Sequence, residues 1–206
     1  MTQFKVKDLS NYVSIVDSQK KKIEIEEKHK YKILVYFPDS DYKLLNEVVF
    51  DKMQEYVNRF KKELPSDLIQ TNIYYTLIIM YDTYTYENYI SYVFNIEYYM
   101  GGAHPNHEIW TVTYDKESNK IIDITDLIKK NSDILNIFST VSREEFLHNS
   151  GIVNSTMMME GTRPIAQNFS NFAFSPTGLL LFFSQYQVAP YSSGQFIVKV
   201  DYDKLF

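Results

Sequence analysis

Apolar positions after residue 44 follow a helical spacing. From Leu45 to Phe60 apolar side chains recur three and four residues apart, the period that places one stripe of an α-helix against a core. The stripe comprises Leu45, Val48, Val49, Met53, Tyr56, Val57 and Phe60. Candidate N-caps precede it at Asp39, Ser40 and Asp41, and Pro65 follows it. The pattern predicts a long amphipathic helix here.

Segments rich in Tyr, Ile, Val and Thr predict β-strands on both sides of this helix. The first predicted strands are residues 31–37, 72–81, 88–99 and 108–114. Pro38 ends the strand before the helix, because proline has no N–H to donate to a ladder. The polar residues 82–87 are interpreted as the connection of a hairpin. The strands after the helix are therefore predicted to form an antiparallel meander.

The remainder of the chain predicts a second helix and further strands. After a short strand at residues 120–124, Thr125 or Asp126 can cap a helix. Its inward side chains are Leu127, Ile128, Leu135, Phe138 and Val141. The last predicted strands are residues 171–174, 179–188 and 195–202. Because residues 179–183 are all apolar, the strand that contains them is expected to be covered on both faces.

Residues 149–168 are predicted to form an irregular connection. They include Gly151, Gly161, Pro164 and three consecutive methionines at 157–159. Flexible, polarisable methionine side chains fill irregular gaps in a core, and they also form adaptable binding surfaces. The first interpretation is preferred for this short run, and the second remains open.

Together these elements predict an α+β fold of antiparallel sheets with two main amphipathic helices. We divide the chain into a leader of residues 1–29 and two closely packed halves, residues 30–106 and 107–206. In the leader, Val13, Ile15 and Val16 predict a short strand. A chain of 206 residues is long enough to bury a substantial core without a covalent staple.

Charge and cysteine content exclude several classes of function. The formal net charge is -5, so the broad basic face that nucleic acid requires is not expected. The run of three lysines at 20–22 is followed by Glu24, Glu26 and Glu27, which screen it. The chain has no cysteine, which excludes disulfides and thiolate chemistry. No cofactor is predicted, and no stretch of twenty apolar residues is present.

One cluster of histidines suggests chemistry, around the turn at residues 101–106. His104, His107 and Glu108 could act as the ligands and base of a metal-dependent hydrolase. Helical spacing is what zinc hydrolase motifs require, however, and Gly101, Gly102 and Pro105 predict a turn between strands instead. The preferred interpretation gives His104 a backbone hydrogen bond that fixes the turn, and a binding role is the next alternative. No metal site is predicted.

Three segments in this order resemble a known family. They are residues 98–104 (YYMGGAH), 123–128 (DITDLI) and 186–194 (YQVAPYSSG). The chain is similar over residues 30–206 to the RsiV-like ectodomain family, an α+β module found on the outer side of bacterial membranes. Its members include lysozyme-sensing anti-sigma factors and some peptidoglycan deacetylases. Members usually have glycine after the histidine, whereas this chain has Pro105, and the proline stiffens the turn.

The resemblance implies a non-catalytic, extracytoplasmic binding or sensor module of a bacterial cell-envelope protein. The expected partner is a basic protein such as lysozyme, or cell-wall material, and the membrane is reached only through an anchor outside this chain. The candidate partner-binding residues are Gly101, Gly102, His104, Asn106, Tyr186, Pro190, Tyr191 and Gly194. A structural spacer that presents another domain is the remaining alternative.

Overall fold

The chain forms two compact units in the computed structural model, which describes residues 21–28, 30–70, 72–148 and 156–205. The first unit contains the described residues between 21 and 82 together with Phe94–Trp110. The second unit contains Thr83–Val93 and residues 111–205. The predicted division into a leader and halves at residues 30 and 107 stays a prediction. The strand predicted at Val13, Ile15 and Val16 lies outside the described residues.

Six strands form one sheet in sequence order. They are β1 (Lys21–Lys28), β2 (Tyr31–Pro38), β3 (Tyr75–Tyr86), β4 (Tyr89–Tyr99), β5 (Asn106–Asp115) and β6 (Lys120–Ile122). The pairs β1–β2 and β5–β6 are antiparallel; the strand β1 lies in the predicted leader and was not predicted. The pair β2–β3 is parallel, with Ile33 opposite Leu77. A helical crossover between these two strands allows them to run in the same direction.

That crossover is α1 (Lys43–Glu63), the helix that the apolar spacing predicts. Six of the seven predicted stripe residues are buried, and Val48 is half-buried. The helix packs on β2, where the rings of Tyr31 and Phe60 meet edge to face with centres 6.3 Å apart. The predicted N-caps are wrong, because Tyr42 occupies the N-cap position and makes no side-chain cap. The Ser40 hydroxyl donates a hydrogen bond to the side-chain oxygen of Asn46 rather than capping the helix.

The second unit contains a separate three-stranded antiparallel sheet and three helices. The strands are β7 (Phe172–Ser175), β8 (Gly178–Phe183) and β9 (Phe196–Val200), in that order. The helices are α2 (Ile124–Lys130), α3 (Ile134–His148) and α4 (Thr156–Gly161). Every residue of β8 is buried, which confirms its prediction as a core strand. Its core partners include Phe138 and Phe146 of α3.

Asn131 divides the predicted second helix into α2 and α3. Its backbone is extended, and its side-chain oxygen accepts a hydrogen bond from the backbone N–H of Asp133. Its side-chain nitrogen donates to the carbonyl oxygen of Leu205. Short polar side chains of this kind compete with the helical ladder and favour a break. The predicted cap is also wrong, because Asp123, two or three residues before Thr125 and Asp126, caps α2 with a capping box.

Two further predictions of connections are wrong. Residues 82–86 belong to β3, and only Glu87 and Asn88 form the turn to β4, with Glu87 at φ +49°. Thr83 and Tyr84 are buried, so tertiary packing overrides the polar character of the segment. The three methionines at residues 157–159 lie in α4 rather than in an irregular segment, with Met158 buried and Met159 exposed. Residues 149–155 of that predicted connection lie outside the described residues. The predicted α+β class is confirmed.

The helices of the described part of the chain are all too short or too polar to cross a membrane.

Candidate functional site

The turn between β4 and β5, in the first unit, is shaped by its first glycine. Gly101 has φ +85°, and a Cβ added there would lie 2.8 Å from Cδ1 of Ile73. Gly102 is open, because an added Cβ would meet no atom closer than the His104 carbonyl oxygen at 3.9 Å. His104 makes the predicted backbone contact, with Nδ1 2.9 Å from the Pro105 carbonyl oxygen. The predicted residues from Gly101 to Asn106 thus share one turn.

Arg59 of α1 holds the two strands that flank this turn. Its Nη2 donates to Oε1 of Glu108 on β5 at 2.8 Å. The guanidinium lies 5.6 Å from the ring centre of Tyr98 on β4 and 4.9 Å from that of Tyr56. Burial and the Glu108 carboxylate raise the pKa of the Tyr56 phenol, which keeps it neutral. Sequence reasoning missed Arg59, although its position three residues after inward-facing Tyr56 places both on one helix face.

The remaining histidine of the predicted cluster pairs with a different carboxylate. Nδ1 of His107 lies 3.7 Å from Oε2 of Glu97, and the His107 side chain is mostly buried. Glu108 is engaged by Arg59, and His104 by its own turn. Within the described ranges, no three His, Asp or Glu side chains lie close enough to hold a metal ion. The structure therefore does not bring His104, His107 and Glu108 together as a ligand set.

His107 is expected to make stability depend on pH. Burial lowers its pKa below the ordinary 6.5, and Glu97 offsets only part of this effect. The unfolded chain then binds a proton at higher pH than the folded chain, so the free energy of unfolding decreases as pH falls from about 6.5 toward the folded pKa. Urea unfolding of wild type and His107→Gln between about pH 5 and pH 8 tests this. A constant difference between the two proteins would contradict it.

The loop between β8 and β9, residues 184–194 in the second unit, carries two neighbouring tyrosines. It begins earlier than predicted, because β8 ends at Phe183 and residues 184–188 are not part of the strand. Tyr186 is 57% exposed and has φ +66°, in the left-handed region. The centre of its ring lies 5.7 Å from that of Tyr191. Pro190 precedes a single helical turn at Tyr191–Ser193, and Gly194 ends it at φ +80°. The predicted residues Tyr186, Pro190, Tyr191 and Gly194 are thus brought together in one loop, which we call the tyrosine loop.

Gln187 fixes the tyrosine loop to the body of the second unit. Its side-chain nitrogen donates to the carbonyl oxygens of Gly161 and Asn168 at 3.2 and 2.9 Å. Its side-chain oxygen accepts from the backbone N–H of Ser184 at 3.2 Å. The next residues, Val188 and Ala189, are buried. The loop is therefore anchored at its centre, between the exposed Tyr186 and the half-buried Tyr191. Sequence reasoning placed Gln187 in a motif but gave it no role.

Comparison with known proteins gives related sequences and folds. The chain is 35% identical over 101 residues to the peptidoglycan-N-acetylmuramic acid deacetylase PdaC of Bacillus subtilis. The alignment spans 48% of this chain and 22% of that relative's length. A DUF3298 family protein of Pseudomonas aeruginosa superimposes with a TM-score of 0.65 at 12% identity, over 90% of this chain and 89% of its own. One from Bacteroides fragilis gives 0.61 at 17% identity, over 89% of each chain.

The two structural likenesses establish the fold, and a family match covers part of the chain. Residues 125–203, which run from α2 through β9, match the family described as "Protein of unknown function (DUF3298)". This range contains the tyrosine loop. The resemblance to the RsiV-like ectodomain family is consistent with the match and with the relationship to PdaC. Over residues 125–203, the chain is therefore similar to the DUF3298 family.

Proposed function

We propose that this chain is a non-catalytic, extracytoplasmic binding or sensor module of a bacterial cell-envelope protein. The observation that carries the proposal is the tyrosine loop, which presents the exposed Tyr186 beside the half-buried Tyr191 on a backbone anchored by Gln187. Support for a cell-envelope role comes from PdaC, whose name describes action on peptidoglycan. The resemblance to ectodomains on the outer side of bacterial membranes supports the same location.

The geometry of Tyr186 favours binding over a purely structural role. A left-handed backbone at a non-glycine residue costs about 1 kcal/mol or more, and here the side chain gains little burial in return. Tyrosine rings supply a large apolar contact with a polar tip and few rotatable bonds. Because Gln187 already orders the loop, a partner loses little free energy in fixing it. A preformed aromatic surface of this kind suits a protein or glycan partner.

The partner expected first is a basic protein such as lysozyme, and cell-wall material is the alternative. The formal net charge of -5 attracts a cationic protein during diffusional encounter. Such steering changes the association rate more than the final affinity. The association rate with lysozyme is therefore expected to decrease with added salt, while the tyrosine loop sets the dissociation rate.

Biolayer interferometry with an animal-type basic lysozyme at low and high salt tests the proposal. We expect saturable binding that Tyr191→Ala weakens by about tenfold or more, because central aromatic contacts dominate protein interfaces. Tyr74→Ala is the matched control, since Tyr74 is an exposed tyrosine of the first unit. His104→Ala asks whether the turn at residues 101–106 contributes as well. Equal binding by the Tyr191 variant and wild type would contradict the role of the tyrosine loop.

Immobilised peptidoglycan in the same assay separates the two partner classes. Binding to peptidoglycan but not to lysozyme, again weakened by Tyr191→Ala, would assign the loop to cell-wall material. Folded protein that binds neither would favour the spacer alternative. A metal-dependent hydrolase is not proposed, since His104, His107 and Glu108 each have a different partner group in the first unit.

A further inference from the structure

An open groove in the first unit lies where β2 ends and α1 begins. It encloses ≈ 650 Å³. Phe37 and Pro38 line it from β2, and Phe50 lines it from α1. Phe37 is buried, whereas Phe50 is 45% exposed and so presents an aromatic ring to solvent. A volume of this size accepts a few side chains of a peptide or a small ligand.

The segment that joins the two sides of the groove is fixed by its own hydrogen bonds. The side-chain oxygen of Asn46 accepts from the backbone N–H and the hydroxyl of Ser40, at 3.0 and 2.7 Å. The side-chain nitrogen of Asn46 donates to the Ser40 carbonyl oxygen at 2.6 Å. The Ser40 hydroxyl also accepts from the backbone N–H of Tyr42. The groove is therefore preformed, which lowers the entropic cost of filling it.

The polar lining of the groove is mostly negative. Three carboxylates, those of Asp41, Glu47 and Asp51, line it together with one ammonium group, that of Lys43. Lys43 Nζ lies 3.6 Å from Oε1 of Glu47, and the Lys43 side chain is 90% exposed. An ion pair this exposed contributes little and is easily replaced by another cation. The lining thus combines aromatic surface with excess negative charge.

We propose that this groove binds an extended basic peptide segment of a partner protein. An arginine or lysine side chain of the segment would meet the carboxylates of Glu47 and Asp51, and a neighbouring apolar side chain would pack on Phe37 and Phe50. An acidic segment would be repelled, and a purely apolar one would remove water from the carboxylates without compensation. The site belongs to the first unit and is independent of the tyrosine loop.

Fluorescence anisotropy with a defined probe tests this inference. The probe is a fluorescein-labelled, amidated hexapeptide of alternating arginine and leucine, and its counterpart carries glutamate in place of arginine. We expect the arginine peptide to bind saturably and the glutamate peptide not to bind. Asp51→Asn should weaken binding of the arginine peptide by about fivefold, because one of the two carboxylates that pair with arginine is lost. Phe50→Ala should weaken binding of the same peptide by about tenfold, because the exposed ring supplies apolar and cation–π contact.

Two matched variants separate the groove from general attraction to an acidic protein. Glu144→Gln removes one exposed charge from α3, and Leu44→Ala removes an exposed apolar side chain from α1 outside the groove lining. Both should bind the peptide like wild type, and so should Tyr191→Ala. Absence of saturable binding, or equal weakening by Asp51→Asn and Glu144→Gln, would overturn the proposal. The lysozyme assay tests the tyrosine loop with Tyr191→Ala, whereas the peptide assay tests the groove with Asp51→Asn and Phe50→Ala. A negative result for one proposal therefore leaves the other standing.

Discussion

Gly161→Ala is expected to lower the free energy of unfolding by about 3 kcal/mol, because the added methyl group has no space. Gly161 is buried at the end of α4. An added Cβ would overlap the carbonyl oxygen of Gln187 and would lie 2.7 Å from its carbonyl carbon and 2.9 Å from Cγ1 of Val188. Two of these three atoms are backbone, so a rotamer change cannot relieve the clash. The backbone at Gln187 must move.

This substitution also tests the anchoring of the tyrosine loop. The Gly161 carbonyl oxygen accepts one of the hydrogen bonds that Gln187 donates, so displacing either backbone weakens the anchor. We expect Gly161→Ala to lower the affinity for the loop's partner at temperatures where the protein is still folded. The loss would come from disorder of Tyr186 and Tyr191 rather than from a lost contact, because Gly161 has no side chain to contribute.

Urea unfolding followed by far-UV circular dichroism measures the effect on stability. Gly102→Ala is the matched control, since its added Cβ would meet only the His104 carbonyl oxygen at 3.9 Å. It should change stability by less than about 0.5 kcal/mol, as is usual at open surface positions. Similar midpoints for the two alanine variants would mean that the close approach of Gly161 to Gln187 is not maintained in solution.

Sequence patterns predicted the elements whose burial follows a simple period. The stripe from Leu45 to Phe60 needed only helical spacing, and the unbroken apolar run of β8 needed only its composition. Some of the errors fall where contacts join residues that are distant in sequence. Asn131 ends α2 through a contact with Leu205, far away in sequence, which no local pattern contains. The parallel pairing of β2 with β3 likewise depends on where α1 packs.

The sequence also predicted only part of the candidate site. Unusual residues mark the tyrosine loop and the turn at residues 101–106, because glycines and prolines at bends stand out in a sequence. The groups that hold these segments do not stand out. Gln187 and Arg59 are ordinary polar residues whose roles depend on Gly161, Asn168 and Glu108, all distant in the chain. The groove beside Phe50 depends on the Ser40 to Asn46 network and has no motif.

Phe183→Ala should produce the largest loss of stability, about 4 kcal/mol, because it deletes a fully buried ring from the centre of the second unit. The Phe183 ring centre lies 5.2 Å from that of Phe146 on α3 and 6.0 Å from that of Phe169, in both cases edge to face. The ring therefore joins β8 to two other segments. Because these neighbours pack against further core residues, they cannot collapse fully into the space that alanine leaves.

A graded series separates cavity formation from loss of the aromatic contacts. Phe183→Leu keeps most of the volume and should lose roughly half as much stability as alanine, whereas Phe50→Ala, at an exposed ring, should be within about 0.5 kcal/mol of wild type. The expected order of urea midpoints, measured by circular dichroism and taken from highest to lowest, is wild type, Phe183→Leu, Phe183→Ala. If Phe183→Ala were no less stable than Phe50→Ala, β8 would not be the core strand, and the anchoring of the adjacent tyrosine loop would need another explanation.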